Sequence, residues 1–209
     1  MLTVFLARHG ETDASRDNQF CGALDIPLNQ VGHAMAEALA ASYSDMPWAA
    51  LYVSPKLRAR QTIEPLARRT GLEPQILEGL REIEYGAWEG MLETEVARTD
   101  PEGFSAWTKN PGRVAPPGGE TGQKVAERAL LALDEIRSRH ADGQVLAVTH
   151  KATIRVLVCA LLGIDVNLFR ARIAQPVGAV TIFELRPTGP LLRRLGDNCH
   201  LPAALRQDA

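Results

Sequence analysis

Cysteine is scarce in this sequence, and its few copies are poorly placed for cross-linking. The 209 residues contain three cysteines, Cys21, Cys159 and Cys199, and no two of them stand in a CxxC spacing. An odd, scattered set of this kind argues against a disulfide framework and against a cysteine-based zinc site. We therefore expect no metal centre in this chain.

Net charge and long apolar runs are lacking as well. The formal net charge is −2, so there is no basic field that would attract nucleic acid or an anionic membrane surface. No stretch approaches the roughly 18 consecutive apolar residues that cross a bilayer, and the first apolar run, residues 3–7, is too short for a signal peptide. These absences predict a cytoplasmic protein with neither nucleic acid nor a membrane as partner, and they leave the oligomeric state open.

Short apolar runs alternate with helical patterns along the chain. The runs typical of buried strands are residues 3–7, 49–53, 145–148, 180–185 and 191–195. The alternation predicts a three-layer α/β/α sandwich whose central sheet is largely parallel, and the last two runs predict an antiparallel edge. The apolar share of 45% supplies one core, and no linker separates two cores, so we expect a single domain over residues 1–209.

Three local features of the chain give further structural expectations. Residues 9–29 are polar and contain glycine and proline, which indicates a long loop. Ser54 and Pro55 have the pattern of an N-cap followed by proline at the first helical position. Residues 80–118 show no clear period, so we expect this region to be irregular.

Polar residues gather where the predicted strands end. Arg8 and His9 follow the first strand, and His150 follows the third. Arg58 lies near the start of the helix after the second strand, where a helix N-terminus favours anions. Because ligands of open α/β sheets bind beyond the carboxyl ends of the strands, we expect these four residues to share one rim.

This set of residues suits phosphoryl transfer through a covalent intermediate. A neutral imidazole can attack phosphorus, and arginines can hold phosphate oxygens bidentately. The leaving oxygen needs a proton from a carboxylic acid, for which Glu78, Glu82 and Glu84 are the candidates. The residue types alone do not choose among these three acids.

Longer motifs occur in a fixed order from the first strand to about residue 201. They are Arg8-His9-Gly10-Glu11-Thr12, Phe20-Cys21-Gly22 with Asp25 and Leu28, Ser54-Pro55 with Arg58-Ala59-Arg60-Gln61-Thr62, Leu80-Arg81-Glu82 with Tyr85-Gly86 and Trp88-Glu89-Gly90, Gly118-Gly119-Glu120-Thr121, Val148-Thr149-His150 with Ile154-Arg155, and Asn198 with His200. This ordered set resembles the histidine phosphatase superfamily, also called phosphoglycerate-mutase-like. The resemblance implies the same α/β sandwich and an enzyme that needs neither a metal nor another cofactor.

The same resemblance assigns roles to individual residues. It implies that His9 is the nucleophile, that Arg8, Arg58 and His150 bind the phosphoryl group, and that Glu82 is the proton donor. Cys21 and Gly22, from the turn motif, are added to the expected substrate-binding residues.

Two residues depart from the family pattern, and a third residue, which belongs to one of the matching motifs, is expected to be structural. Ser15 stands where many members have an asparagine that holds phosphate, and Lys151 stands where most have glycine. We expect both to contact substrate, Lys151 as an additional cation. Arg155, in a buried helical pattern, is expected to form a structural ion pair.

These observations favour a phosphomonoester hydrolase that acts on a small phosphorylated metabolite through a phosphohistidine. The alternative is a cofactor-dependent phosphoglycerate mutase, but members of that type carry a longer segment rich in basic residues after the acid. Here the corresponding residues 91–117 contain only Arg98, Lys109 and Arg113 as basic residues. A non-catalytic phospho-ligand-binding protein is a third possibility, although it would have lost a catalytic residue and none is missing.

Overall fold

The computed structural model describes residues 1–206 of the chain. Its strands are β1 (Leu2–Arg8), β2 (Trp48–Val53), β3 (Gln75–Ile76), β4 (Gly143–Thr149), β5 (Val180–Arg186) and β6 (Gly189–Asp197). Its α-helices are α1 (Asp13–Arg16), α2 (Gln30–Tyr43), α3 (Leu57–Thr70), α4 (Glu93–Thr99), α5 (Pro101–Lys109), α6 (Gly122–Arg139), α7 (Lys151–Leu162) and α8 (Phe169–Arg172). Within the described residues, no helix is both long enough and apolar enough to cross a membrane.

All of these strands belong to one sheet, in the order β3-β2-β4-β1-β5-β6. The pairs β3–β2, β2–β4 and β4–β1 are parallel, whereas β5 runs antiparallel to both β1 and β6. Strands β5 and β6 are joined by a two-residue turn, so together they form the antiparallel edge that the last two apolar runs predict. The prediction of a largely parallel sheet with an antiparallel edge is confirmed.

Helices cover both faces of the sheet, because the central strands bury alternate side chains on opposite sides. Val4 of β1 packs in the cluster that includes residues of α6 and α7. Its neighbour Phe5 packs in the cluster formed with residues of α2 and α3. A strand buried on both faces contains a nearly continuous apolar run, which is why these segments are recognisable in the sequence. The three-layer sandwich is therefore confirmed, while the single domain over residues 1–209 stays a prediction that extends three residues beyond the described part.

The expected helix start at Ser54 and Pro55 is wrong by two residues. Helix α3 begins at Leu57, with Lys56 in the N-cap position and no side-chain cap. The hydroxyl group of Ser54 lies 2.7 Å from Nε2 of His150 instead. Ser54 follows the buried strand β2, and its side chain contacts a residue that follows the neighbouring strand β4 instead of capping α3.

The expected irregular region, residues 80–118, is partly helical. Helices α4 and α5 lie within it, and the aspartate between them, Asp100, caps α5 by accepting a hydrogen bond from the Gly103 amide at 3.0 Å. Trp88 and Trp107 pack with Phe20 in a separate aromatic cluster. This cluster holds the region against residues 9–29, which also contain the short helix α1 that the sequence did not predict.

Candidate active site

Strand pairing brings the two rim histidines together. Strands β1 and β4 are parallel neighbours with Arg8 opposite Thr149, so His9 and His150 follow at the same edge of the sheet. The centroids of their rings lie 5.2 Å apart. Both side chains are buried. The structure therefore places side by side two residues that are 141 positions apart in the sequence.

The tautomer of His9 follows from its hydrogen bond. Nδ1 lies 2.7 Å from the carbonyl oxygen of Gly10. Because a carbonyl oxygen only accepts, Nδ1 must carry the hydrogen, and Nε2 keeps a free lone pair in the neutral ring. Burial, together with the positive charges of Arg58 and Arg8, lowers the pKa of His9 well below 6.5. At neutral pH His9 is therefore an unprotonated imidazole with its nucleophilic nitrogen available.

His150 is held by Ser54 from the neighbouring strand β2. The amide of Lys56 donates to the Ser54 hydroxyl oxygen at 3.4 Å, which leaves the hydroxyl hydrogen for Nε2 of His150 at 2.7 Å. In that arrangement Nδ1 of His150 carries a hydrogen. This nitrogen is buried and has no hydrogen-bond partner among the described residues. Burial, the charge of Arg58 and the neighbouring His9 lower the pKa of His150 well below 6.5, so it is a neutral donor.

The Ser54 contact leads to a testable prediction about positioning. Ser54→Ala is expected to reduce kcat/KM by up to about tenfold, since one hydrogen bond contributes roughly 0.5–1.5 kcal/mol. Nitrogen-15 NMR of His150 should show one tautomer in the wild type and a mixture in the variant. A merely structural role would lower the melting temperature but leave the His150 tautomer signals unchanged.

The two rim arginines are oriented by backbone carbonyls. Arg8 donates to the carbonyl of Gln175 at 2.8 Å, and its Nε is buried without a partner in the described part of the chain. Arg58 donates to the carbonyls of Leu24 at 2.9 Å, Cys21 at 3.2 Å and Gly22 at 3.3 Å. Carbonyls orient a guanidinium without neutralising it. Both positive charges therefore remain available to an anionic ligand.

The side chain of Glu82 contacts the first turn of helix α7. Its Oε1 accepts from the amides of Ile83 at 3.0 Å and Thr153 at 3.2 Å, and its Oε2 accepts from the amide of Ala152 at 3.1 Å. The structure separates Glu82 from the two alternative acids, because only Glu82 of the three lines the cavity that contains His9. Glu78 and Glu84 border a different depression.

The remaining expected site residues differ in their positions. Cys21 and Ser15 line the cavity, although the Ser15 hydroxyl is engaged with the backbone of Thr12 as part of the cap of α1. Gly22 does not line it, which departs from the expectation. Its amide donates to Glu89 at 3.0 Å, and a Cβ there would lie 1.7 Å from the Ile83 carbonyl oxygen. The contact of Gly22 with the site is indirect, because its carbonyl accepts a hydrogen bond from Arg58.

Lys151 lines the cavity, and two further cations line it as well. Arg155 lies one helical turn after Lys151 on α7, and Arg170 comes from α8. Instead of the expected acidic partner, the described residues offer Arg155 the carbonyls of Ile173, at 2.6 Å, and Arg170. The (i, i+4) spacing from Lys151 could have indicated Arg155 as a site residue. No motif marks Arg170.

Comparisons with known proteins identify similar sequences and structures. The family model described as "Histidine phosphatase superfamily (branch 1)" matches residues 4–198. Phosphoserine phosphatase 1 of Hydrogenobacter thermophilus is 31% identical over 201 residues, covering 96% of this chain and 95% of that protein. A glucosyl-3-phosphoglycerate phosphatase of Mycolicibacterium vanbaalenii is 32% identical over 171 residues, covering 78% of this chain and 76% of that protein. The solved structure of YhfR from Bacillus stearothermophilus has a TM-score of 0.89 and 31% identity, covering 96% of this chain and 99% of that one.

Proposed function

The chain belongs to the histidine phosphatase superfamily, and from this membership we propose that it hydrolyses phosphate monoesters of small metabolites through a phosphohistidine at His9. The observation that carries the proposal is the free Nε2 of His9. Its Nδ1 donates to the Gly10 carbonyl at 2.7 Å, and its pKa lies well below 6.5 because the ring is buried near Arg58 and Arg8. A neutral, oriented imidazole near two arginines suits nucleophilic attack on phosphorus.

In the first step the Nε2 lone pair attacks phosphorus while the bond between phosphorus and the leaving oxygen breaks. Glu82, in its protonated form, gives its proton to that oxygen. In the second step water attacks the phosphohistidine, the nitrogen–phosphorus bond breaks, and the Glu82 carboxylate takes the proton from water. Arg8, Arg58 and the Nδ1–H of His150 offset the charge on the equatorial oxygens in both steps.

Water is proposed as the acceptor because of the surroundings of the cavity. Of the segment at residues 91–117, none of the basic residues Arg98, Lys109 and Arg113 lines the cavity, whereas the acidic Glu93 does. This segment therefore supplies no cation that would hold a bisphosphate for return to the enzyme, as a phosphoglycerate mutase requires. The phosphatase is the better-supported function, with the mutase as the alternative.

The choice of acceptor is testable with 3-phosphoglycerate and 2,3-bisphosphoglycerate. The enzyme is expected to release inorganic phosphate faster than it interconverts 3-phosphoglycerate and 2-phosphoglycerate. Phosphate release is followed by a colorimetric assay and isomerisation by NMR on the same samples. Efficient isomerisation with little free phosphate would make the mutase the correct function.

We further propose that the enzyme works in the cytoplasm as a single catalytic domain without a metal or other cofactor. A screen over phosphorylated metabolites in the presence of EDTA tests the cofactor requirement and identifies substrates. Phosphoserine and glucosyl-3-phosphoglycerate belong in this panel, because two relatives are named for them. Activity that disappears with EDTA and returns with a divalent cation would contradict the metal-independent proposal.

A further inference from the structure

A group of three cations lines the cavity beside the residues assigned to the phosphoryl group. This cationic wall consists of Lys151 and Arg155 on α7 and Arg170 on α8. The cavity has a volume of about 300 Å³ and also contains His9, Arg8 and Glu82. That space exceeds what a phosphoryl group alone requires, so the rest of a substrate would lie in the same cavity as the wall.

Lys151 is the member of the wall that lacks a hydrogen-bond or ion-pair partner in the described part of the chain. Its side chain is half-buried, and its ammonium group forms no hydrogen bond or ion pair within residues 1–206. Burial and the positive charges of Arg8, Arg155 and Arg170 lower the pKa of Lys151 to about 8, and the carboxylate of Glu93 opposes this effect. An anion next to Lys151 would offset a repulsion that Glu93 compensates only in part.

The two arginines of the wall are held in place by other contacts. Arg170 pairs with Glu93 at 2.8 Å and stacks over the Trp107 ring, 4.1 Å from its centroid. Arg155 is held by the carbonyls of Ile173 and Arg170. These contacts fix two positive charges near Lys151 without saturating Lys151 itself. The ammonium is therefore the free, movable donor of the wall.

The charged side chains that line the cavity can be compared with the negative charge of a phosphate monoester. Five cationic side chains and two carboxylates line it: Arg8, Arg58, Lys151, Arg155 and Arg170, with Glu82 and Glu93. His9, which also lines it, and His150, which is buried beside His9, are both neutral. A phosphate monoester brings about −1.5 to −2 charges at neutral pH. At least one positive charge is then left over with both acids ionised, and one more when Glu82 carries the proton that it donates; three of the five cations lie in the wall.

We propose that the natural substrate is a phosphate monoester that carries a carboxylate, and that Lys151 binds this carboxylate. The proposal rests on the proposed phosphatase function and adds the substrate class. A carboxylate brings one negative charge to Lys151, the cation of the wall without a side-chain partner among the described residues, whereas a second phosphate would bring nearly two negative charges beside the carboxylate of Glu93. Lys151 is a point charge on a flexible stem, which suits a carboxylate at a variable distance from the phosphoryl group.

The test uses two pairs of substrates that differ by the carboxylate. One pair is 3-phosphoglycerate and glycerol 3-phosphate, and the other is O-phosphoserine and O-phosphoethanolamine. We expect the wild-type enzyme to have a higher kcat/KM for the carboxylated member of each pair. The Lys151→Met variant, which keeps the apolar stem, should reduce this preference by about tenfold or more, the effect of one charge-assisted contact. Lys124→Met, at an exposed position of α6, is the matched control and should leave the preference unchanged.

Two results would overturn the carboxylate site while leaving the phosphatase function intact. One is equal kcat/KM for both members of each pair in the wild type, and the other is an unchanged preference in Lys151→Met. A larger loss of preference for a bisphosphate than for the carboxylates would assign the wall to a second phosphate instead. If no substrate is hydrolysed, the proposed function is wrong. Calorimetric binding of 3-phosphoglycerate and glycerol 3-phosphate to the wild type and Lys151→Met then decides the site by the same comparison.

Discussion

Replacing His9 with alanine is expected to reduce kcat by roughly 10⁴-fold or more, the order of loss seen when a covalent nucleophile is removed. The structural reason is that His9 is neutral and presents Nε2, while its Nδ1 is engaged with the Gly10 carbonyl. Brief incubation of the wild type with a labelled substrate should trap a phosphate that is labile in acid and stable in base. The His9→Ala variant should trap none.

Because His150 lies next to His9, the experiment must show which of the two histidines carries the phosphate. Its ring lies 5.2 Å from that of His9 and is equally neutral. Mass spectrometry of the trapped enzyme should place the phosphate in the peptide that contains His9. His33→Ala, at an exposed position of α2, is the control and should label like the wild type. Label at the wild-type level in His9→Ala, or on the His150 peptide, would refute the assignment.

Glu82→Gln is expected to slow hydrolysis of alkyl phosphates by about 10²–10⁴-fold, the usual contribution of a general acid. The effect should shrink for p-nitrophenyl phosphate, because its leaving group departs without much protonation. This dependence on the leaving group separates proton donation from a positional role. The distinction matters because Glu82 also accepts hydrogen bonds from the amides of Ala152 and Thr153 at the start of α7.

Glu84→Gln is the matched control for this experiment. Glu84 is two residues away, borders a different depression and lies 3.3 Å from Arg81 in an ion pair. It should therefore affect both kinds of substrate only slightly. Equal losses for alkyl and p-nitrophenyl phosphates in Glu82→Gln would mean that Glu82 positions α7 rather than donating a proton.

Much of the fold was predictable because local patterns report burial. The apolar runs at residues 3–7 and 145–148 coincide with β1 and β4, whose side chains are covered on both faces of the sheet. The two-residue strand β3 is exposed and has no such pattern, so it was not recognisable. Helices α4 and α5 were missed because contacts among Trp88, Trp107 and Phe20, rather than a clear period, support that region.

The candidate site was predictable only where its residues follow strands. His9 and His150 come directly after β1 and β4, and parallel pairing requires the ends of these strands to lie together. Ser54 follows β2 by the same rule, yet its local pattern suggested a helix cap. Its hydrogen-bond partner is His150, which is close in space but 96 residues away in the sequence.

The sequence by itself determined the sandwich, the largely parallel sheet and the rim on which Arg8, His9 and His150 lie. Strand and helix periods depend on burial of neighbouring residues, and parallel strands carry their end residues to one edge. Only the tertiary structure decided that Glu82 lines the cavity, that Gly22 does not, and that Arg170 joins Lys151. The distance between long side chains of separate segments depends on how those segments pack against each other. No local pattern in the sequence contains this information.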